Sequence, residues 1–558
     1  MGSYLERLRE PLNSPEYRDG RPRKYERIVR DGMIIERDVE VPTRFGFTIY
    51  IDLFRPADES RPVPPLVVWT PYGKHDPTPL GKLYPASGVL EEWQSDLCIF
   101  EAPDPAYWVP RGYAVIHAET PGNWYANTEG GYFTPREAEA HYDLIEWAGT
   151  QDWSNGKVGL SGVSYLASAQ WRVAALNPPH LAAINPWEGW SDTFNDIVRH
   201  GGIPETYFWP HIQVRWGVSD HKVEDLWALT REHLFFDDYW KSKVPEFSNI
   251  DVPAYVVSSW SDHGVHTRGT LEGFKRIASP QKWLEIHGSK KWAYFYEPQS
   301  IARQSAFFDH FLKGEDSEIT QWPAVRLHVR DRHGVATQKT AAAWPVENTD
   351  YRRLYLDAGE GSLNGEVPAE KCSVSYDPLD DAQEANFDYR FEEDAELVGH
   401  MKLCLHVSAD EADDMDLFVT IEKLDGGTSK TGFTHYAFFE DGPVAFGWLR
   451  LSRRELDPGQ STEYQPILTN ATEQKVAPGE VVEAHVEILP SGTRFSAGDV
   501  LRLRVKGRDI YNYPKPMLYM RHEDTVNIGT NRIHTGPGAE SYLLVPMVTL
   551  AEELADAQ

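Results

Sequence analysis

Cysteine is nearly missing from this chain: three in 558 residues, Cys98, Cys372 and Cys404, with no Cys-x-x-Cys spacing. That excludes a disulfide scaffold and a thiolate metal knuckle, and the three thiols are expected to be reduced and buried. Long apolar runs are also missing. Nowhere is there a stretch of about 18 apolar residues, and Met1-Gly2-Ser3-Tyr4-Leu5-Glu6-Arg7 has no signal-peptide core, so a cytoplasmic protein is expected. Positive charge is short as well, with 55 Lys and Arg against 85 Asp and Glu and a formal net charge of −30. Phosphate backbones and anionic membranes would be repelled, so neither nucleic acid nor a membrane is an expected partner. No internal repeat and no low-complexity linker interrupts the chain. What is present is hydrophobic residues at 41% and aromatics at 12%, enough for two or three domains with real cores.

The most informative stretch is Lys157-Val158-Gly159-Leu160-Ser161-Gly162-Val163-Ser164-Tyr165-Leu166-Ala167. An apolar strand breaks at Gly162 and a helix-forming run begins after Ser164, the layout of a nucleophile elbow. A serine there is exposed above the sheet, at a helix N-terminus that favours developing negative charge. Leu166 stands where Gly-x-Ser-x-Gly asks for glycine. Upstream, Thr134-Pro135-Arg136-Glu137 reads as an N-cap, a proline at the first helical position and a capping-box glutamate. Downstream, a helix from Tyr165 to Leu176 stops at Asn177-Pro178-Pro179, and a strand over 181–186 follows. This is a β-α-β crossover with the serine at the carboxyl end of its strand, where open α/β sheets place ligands.

The chain changes character twice. Strand-like runs at Ile49–Leu53, Leu66–Trp69 and Ala114–His117 give way to alternating units, which predicts a sheet that starts antiparallel and becomes parallel. Residues 187–250 are dense in aromatics and helix formers, as suits a helical insertion covering one end of the sheet. Strands return at Ala254–Ser258 and Trp283–Ile286, and a helix through Phe307–Gly314 closes the α/β part. Beyond about residue 335, short alternating segments such as Met401–Val407 and Val500–Val505 read as an antiparallel β-sandwich of jelly-roll type. The expected architecture is therefore an α/β domain in two pieces, 1–186 and 251–334, a helical cap at 187–250, and a jelly roll at 335–558.

Four segments carry a likeness: Gly162-Val163-Ser164-Tyr165-Leu166; Ile145-Glu146-Trp147 with the run 152–159; Thr70-Pro71-Tyr72-Gly73-Lys74; and Phe307 to Gly314. With Glu487 to Phe495 and Ala497-Gly498-Asp499, they resemble the cocaine esterase and X-Pro dipeptidyl-peptidase group of α/β-hydrolases over most of the chain. The resemblance implies a serine hydrolase with its triad ordered serine, aspartate, histidine. Ser164 takes the nucleophile position, and Asp262 in Trp260-Ser261-Asp262 matches the family's Trp-x-Asp. The base is where the chain departs. Family members end the next strand with Gly-Pro-Trp-x-His, whereas here Glu285-Ile286-His287-Gly288-Ser289-Lys290-Lys291-Trp292 stands, with Lys291 near the family histidine. His287 is the expected base, with His263, His266 and Lys291 as rivals. A lysine base would need a lowered pKa. The oxyanion donors implied are the Tyr165 N–H and the Tyr72 hydroxyl. Glu119-Thr120-Pro121-Gly122-Asn123-Trp124 replaces the family's usual Asp-x-Arg-Gly run.

The expected reaction is hydrolysis of a carboxylic ester, or an amide, through an acyl-enzyme on Ser164. Alternatives are an X-Pro dipeptidyl aminopeptidase, or a silent binding scaffold with a relic elbow. No metal or organic cofactor is implied. The expected partner is a small-molecule ester or amide, with a homodimer left open.

Overall fold

Alternation of buried β-branched strands with capped helices builds the central sheet of the chain. A computed structural model describes residues 7–13, 23–75, 78–216, 218–515 and 519–552, so Met1–Glu6, part of the segment without a signal-peptide core, lies outside the described residues. The sheet begins antiparallel, from Glu26–Arg30 through Met33–Pro42 to Thr48–Pro56, which pairs with Ala114–Glu119. From there it is parallel, in the order Ala114–Glu119, Pro65–Thr70, Val158–Val163, Leu181–Trp187, Ala254–Ser259, Lys282–His287, Val325–Arg332. Strands such as Val158–Val163 and Ala254–Ser259 are buried along their whole length, as expected of parallel strands covered on both faces.

The local helix signals act as read. Thr134 caps the helix Pro135–Gly149 by accepting from the Glu137 N–H at 3.2 Å, while Glu137 reaches back to the Phe133 N–H at 2.5 Å. The helix after Ser164 runs Tyr165–Ala174, two residues shorter than the pattern suggests. The closing helix is Pro298–Phe308, continued by a wider turn over Asp309–Lys313 that ends at Gly314, whose φ of 75° stops it. Between the two halves of the sheet lie the helices Phe208–Trp216, Leu226–Glu232 and Asp238–Ser242.

The part beyond the sheet is rich in strands. Pairing runs Asp350–Asp357, Tyr542–Val548, Ala395–Ala409, Val482–Phe495, Ala445–Arg450, Asp416–Asp425, Val500–Lys506, Ala385–Arg390, and returns through Ser362–Asn364. The circuit encloses its own core, with Leu356, Leu403, Leu405, Val419, Ile421, Leu503 and Leu543 buried inside it. It also joins the central sheet, because Arg330 pairs with Thr493. Aromatics of this part, including Phe418, Phe438, Trp448 and Tyr519, belong to the same core as the central sheet. All three cysteines are free. Cys98 and Cys404 are buried, but Cys372 is exposed at the start of the strand Cys372–Tyr376, against expectation. Among the described residues no helix is long and apolar enough to cross a membrane.

Candidate active site

Ser164 stands between the strand Val158–Val163 and the helix Tyr165–Ala174 with φ 64° and ψ −116°, a conformation rare for a residue with a side chain. The turn is held by its own N–H, which donates to the Trp187 carbonyl at 3.0 Å, and by the Ala167 and Ser168 N–H groups, which return to its carbonyl. Leu166 is tolerated because position 162 is glycine: at φ 140°, a Cβ there would lie 2.6 Å from the Leu166 Cβ. Tyr165 opens the helix, so its N–H has no intrahelical partner. Its phenol points away from Ser164 and donates to Glu137 at 2.7 Å.

The Ser164 Oγ lies 3.0 Å from His266 Nε2, and His266 Nδ1 lies 2.5 Å from Asp262 Oδ2. All three residues are buried. Asp262 follows the strand Ala254–Ser259, and its carbonyl accepts from the Val265, His266 and Thr267 N–H groups. That tight turn brings a side chain four residues on back over the carboxylate, just before the helix Thr267–Arg276. With Nδ1–H on Asp262, Nε2 is free to accept from the serine hydroxyl.

His287, the expected base, does not reach Ser164. Its Nε2 is 3.0 Å from Glu188 Oε1, its Nδ1 accepts from the Ser289 N–H at 3.2 Å, and its ring stacks on Tyr294 at 4.0 Å. Both ring nitrogens are thus committed to holding the strand end. Glu188, which sequence reasoning missed, also accepts from Ser259 Oγ at 2.8 Å. His263 turns to the C-terminal part and bonds the Pro490 carbonyl at 3.1 Å, with burial pushing it down to about 3. Lys291 does reach the site: its Nζ is 3.0 Å from Asp262 Oδ2 and 3.3 Å from His266 Nδ1.

Tyr72 follows the strand Pro65–Thr70 and lines the same pocket as Ser164, with burial and the neighbouring Glu101 pushing its pKa up. The loop is braced from below. Gly73 has φ 95°, and a Cβ on it would lie 2.3 Å from the Trp124 ring. The departure at 119–124 therefore supplies the support for Tyr72. Next along, Lys74 is buried against Asp38 and Asp52.

Above these groups opens a small, partly open pocket. Tyr84, Phe100 and Trp292 wall one side, Phe208, Ile212 and Arg215 come from the helix Phe208–Trp216, and Tyr436 and Phe438 come from the C-terminal part. Arg215 donates to the Tyr84 hydroxyl at 2.7 Å. Glu101 also lines the pocket; one carboxylate oxygen accepts from Trp292 Nε1 at 2.8 Å, while the other is buried with no hydrogen-bond partner. Burial pushes its pKa up to about 7. Neither Glu101 nor the C-terminal wall carried a signal in the sequence, whereas the spacing of Asp262 and His266 was visible.

The crystal structure of a CocE/NonD family hydrolase from Staphylococcus aureus superposes with a TM-score of 0.90 and 40% identity, covering 94% of this chain and 97% of that one. The chain belongs to the CocE/NonD hydrolase family. Within this hydrolase, residues 46–216 match the X-Pro dipeptidyl-peptidase (S15) family and residues 317–544 match the X-Pro dipeptidyl-peptidase C-terminal non-catalytic domain. The cocaine esterase of Rhodococcus sp. is 24% identical over an alignment 614 positions long, covering 92% of this CocE/NonD chain and 98% of the esterase. An α-amino acid ester hydrolase shares the fold, with a TM-score of 0.69 at 17% identity over 95% of this chain and 98% of its own.

Proposed function

We propose that this protein is a serine esterase that cleaves a carboxylic ester with a compact apolar acyl group, through an acyl-enzyme on Ser164. The observation that carries the reading is the unbroken relay of Ser164 Oγ, His266 and Asp262, at 3.0 and 2.5 Å, on the floor of an aromatic pocket. Ser164 attacks the carbonyl, His266 Nε2 takes its proton and returns it to the leaving alcohol, and Asp262 holds the ring in the Nδ1–H tautomer. The Tyr72 hydroxyl and the Tyr165 N–H donate to the tetrahedral oxyanion. Water then repeats the sequence on the acyl-enzyme. The reaction as written uses no cofactor and needs only a small-molecule substrate. In this reading residues 187–250 form a cap, and 335–558 form a jelly roll that contributes Tyr436 and Phe438 to the pocket. The ester preference is supported by the walls, which offer aromatic surface and few polar groups for a peptide backbone.

One observation favours a second reading. The unpartnered oxygen of Glu101 is an acidic group within the pocket that a free α-amine would pair with, as an X-Pro dipeptidyl aminopeptidase requires. A fluorophosphonate probe tests the shared chemistry, and substrate comparison separates the readings. Labelling should map to Ser164 and disappear in Ser164→Ala, and a short-chain p-nitrophenyl ester should be turned over faster than Gly-Pro-p-nitroanilide. Labelling at another residue would remove Ser164 from the mechanism. Faster anilide cleavage would select the peptidase reading.

A further inference from the structure

Lys291 occupies the stretch where the family resemblance expects a histidine, yet it is neither distant from the relay nor a spare base. Its Nζ lies 3.0 Å from Asp262 Oδ2, the same oxygen that receives His266 Nδ1–H at 2.5 Å, and 3.3 Å from His266 Nδ1 itself. The other carboxylate oxygen, Oδ1, is buried with no hydrogen-bond partner, so a single oxygen serves both donors. We propose that Lys291 is a positioning residue of this hydrolase: its ammonium clamps Asp262 in line with the imidazole and sets a fixed positive charge against the imidazolium that forms when Ser164 attacks. This rests on His266 serving as the base.

Lysine here is a charge and not a proton acceptor. Burial works against the ammonium, but Asp262, Glu101 and Glu188 outweigh it and hold its pKa above the ordinary lysine value. Burial and then the Lys291 ammonium push His266 below the ordinary imidazole value, against the pull of Asp262 and Glu188. The remaining groups facing the relay come from other elements. Glu188 follows the strand Leu181–Trp187 and is bonded to His287 and Ser259. Tyr436 and His435, from the C-terminal part, feel the Asp262 charge, and Arg215 offsets Glu101 across the pocket. Of these, only Lys291 places a cation in contact with both Asp262 and His266. Its consequence is a base that stays neutral to lower pH and, once protonated, gives its proton up readily to the leaving alcohol.

The test is the pH profile of kcat/KM for a p-nitrophenyl ester in the wild type, Lys291→Met and Lys291→Arg. A His266 pKa below its ordinary value means that activity survives to lower pH and is lost only as pH falls through that lowered pKa. The wild-type acid limb should therefore lie below about 6.5. Removing a like charge at contact distance should raise the limb of Lys291→Met by about one unit or more. Lys291→Arg, which keeps the charge, should retain the wild-type limb. A limb that stays in place in Lys291→Met would reduce Lys291 to a packing residue and overturn the inference. Should Lys291→Met fail to fold, a wild-type limb at or above about 6.5 would overturn it equally. A His266→Ala enzyme that keeps its activity would mark failure of the base assignment instead.

Discussion

His266 and His287 are both buried and both bonded to a carboxylate, so composition and burial do not distinguish them. Ring nitrogens do. His266 presents Nε2 to Ser164, while His287 spends Nε2 on Glu188 and Nδ1 on the Ser289 N–H. Their substitutions should therefore fail in different ways. His266→Ala is expected to lower kcat by on the order of 10⁴-fold or more with the melting temperature little changed, as for loss of one member of a unit that acts together. His287→Ala is expected to keep kcat within about tenfold, because its ring touches no reacting atom. It should cost stability instead: Glu188 would be left buried with only Ser259 as a side-chain donor, a loss of about 2–3 kcal/mol. Ester kinetics and thermal unfolding of the two variants, measured side by side, check both halves. The reverse pattern would return the base to His287.

At the scale of elements, what the sequence made legible is what neighbouring residues decide. The Thr134-Pro135 cap and the turn at Ser164 each depend on contacts within a few positions and stand where the pattern placed them, while the strand expected to break at Gly162 runs on to Val163. The helix–strand alternation likewise foretold a sheet that turns from antiparallel to parallel. The proposed base, His266, was harder to read because its position depends on the path of one turn. The Asp262 carbonyl gathers three successive N–H groups and folds His266 back on the carboxylate, whereas the strand-end histidine matched the general pattern. The pocket wall was out of reach for a different reason: Tyr436 and Phe438 arrive from a turn far along the chain, between the strands Phe433–His435 and Phe439–Gly442. The loop at 119–124 shows a departure in sequence whose purpose appears only in packing, where Trp124 lies under Gly73. Gly73→Ala tests that support. The added methyl needs a φ that side chains disfavour and meets the indole at 2.3 Å, so the loop must shift and carry Tyr72 with it. We expect kcat to fall by about 10²-fold, the scale of one lost oxyanion donor, with the rest of the fold intact by circular dichroism. Unchanged kcat would mean that Tyr72 does not act through its hydroxyl.

For the whole molecule, the central sheet and the C-terminal strands are joined as one body. The pairing of Arg330 with Thr493 continues the sheet, and aromatics from both parts share one core. A charged tie beside the site is Arg268, two residues past His266, whose guanidinium bonds Asp196 at 2.8 Å and Glu487, on the strand Val482–Phe495, at 2.9 Å. Such a joint should make unfolding cooperative even though a second core lies within the strand circuit. Calorimetry of the intact chain is expected to show a single transition. Arg268→Met should move that transition down without splitting it, because it leaves the fully buried Asp196 without its cation, a loss of about 3–5 kcal/mol. Asp196 keeps hydrogen bonds from the Ser191 and Asp192 N–H groups, which places the expected cost at the lower end. Because the same arginine anchors the helix that begins beside His266, kcat should fall along with the melting temperature. Two separated transitions in the wild type would show that the parts unfold independently. A stability loss with kcat untouched would show that the C-terminal strands support the fold without holding the base in place.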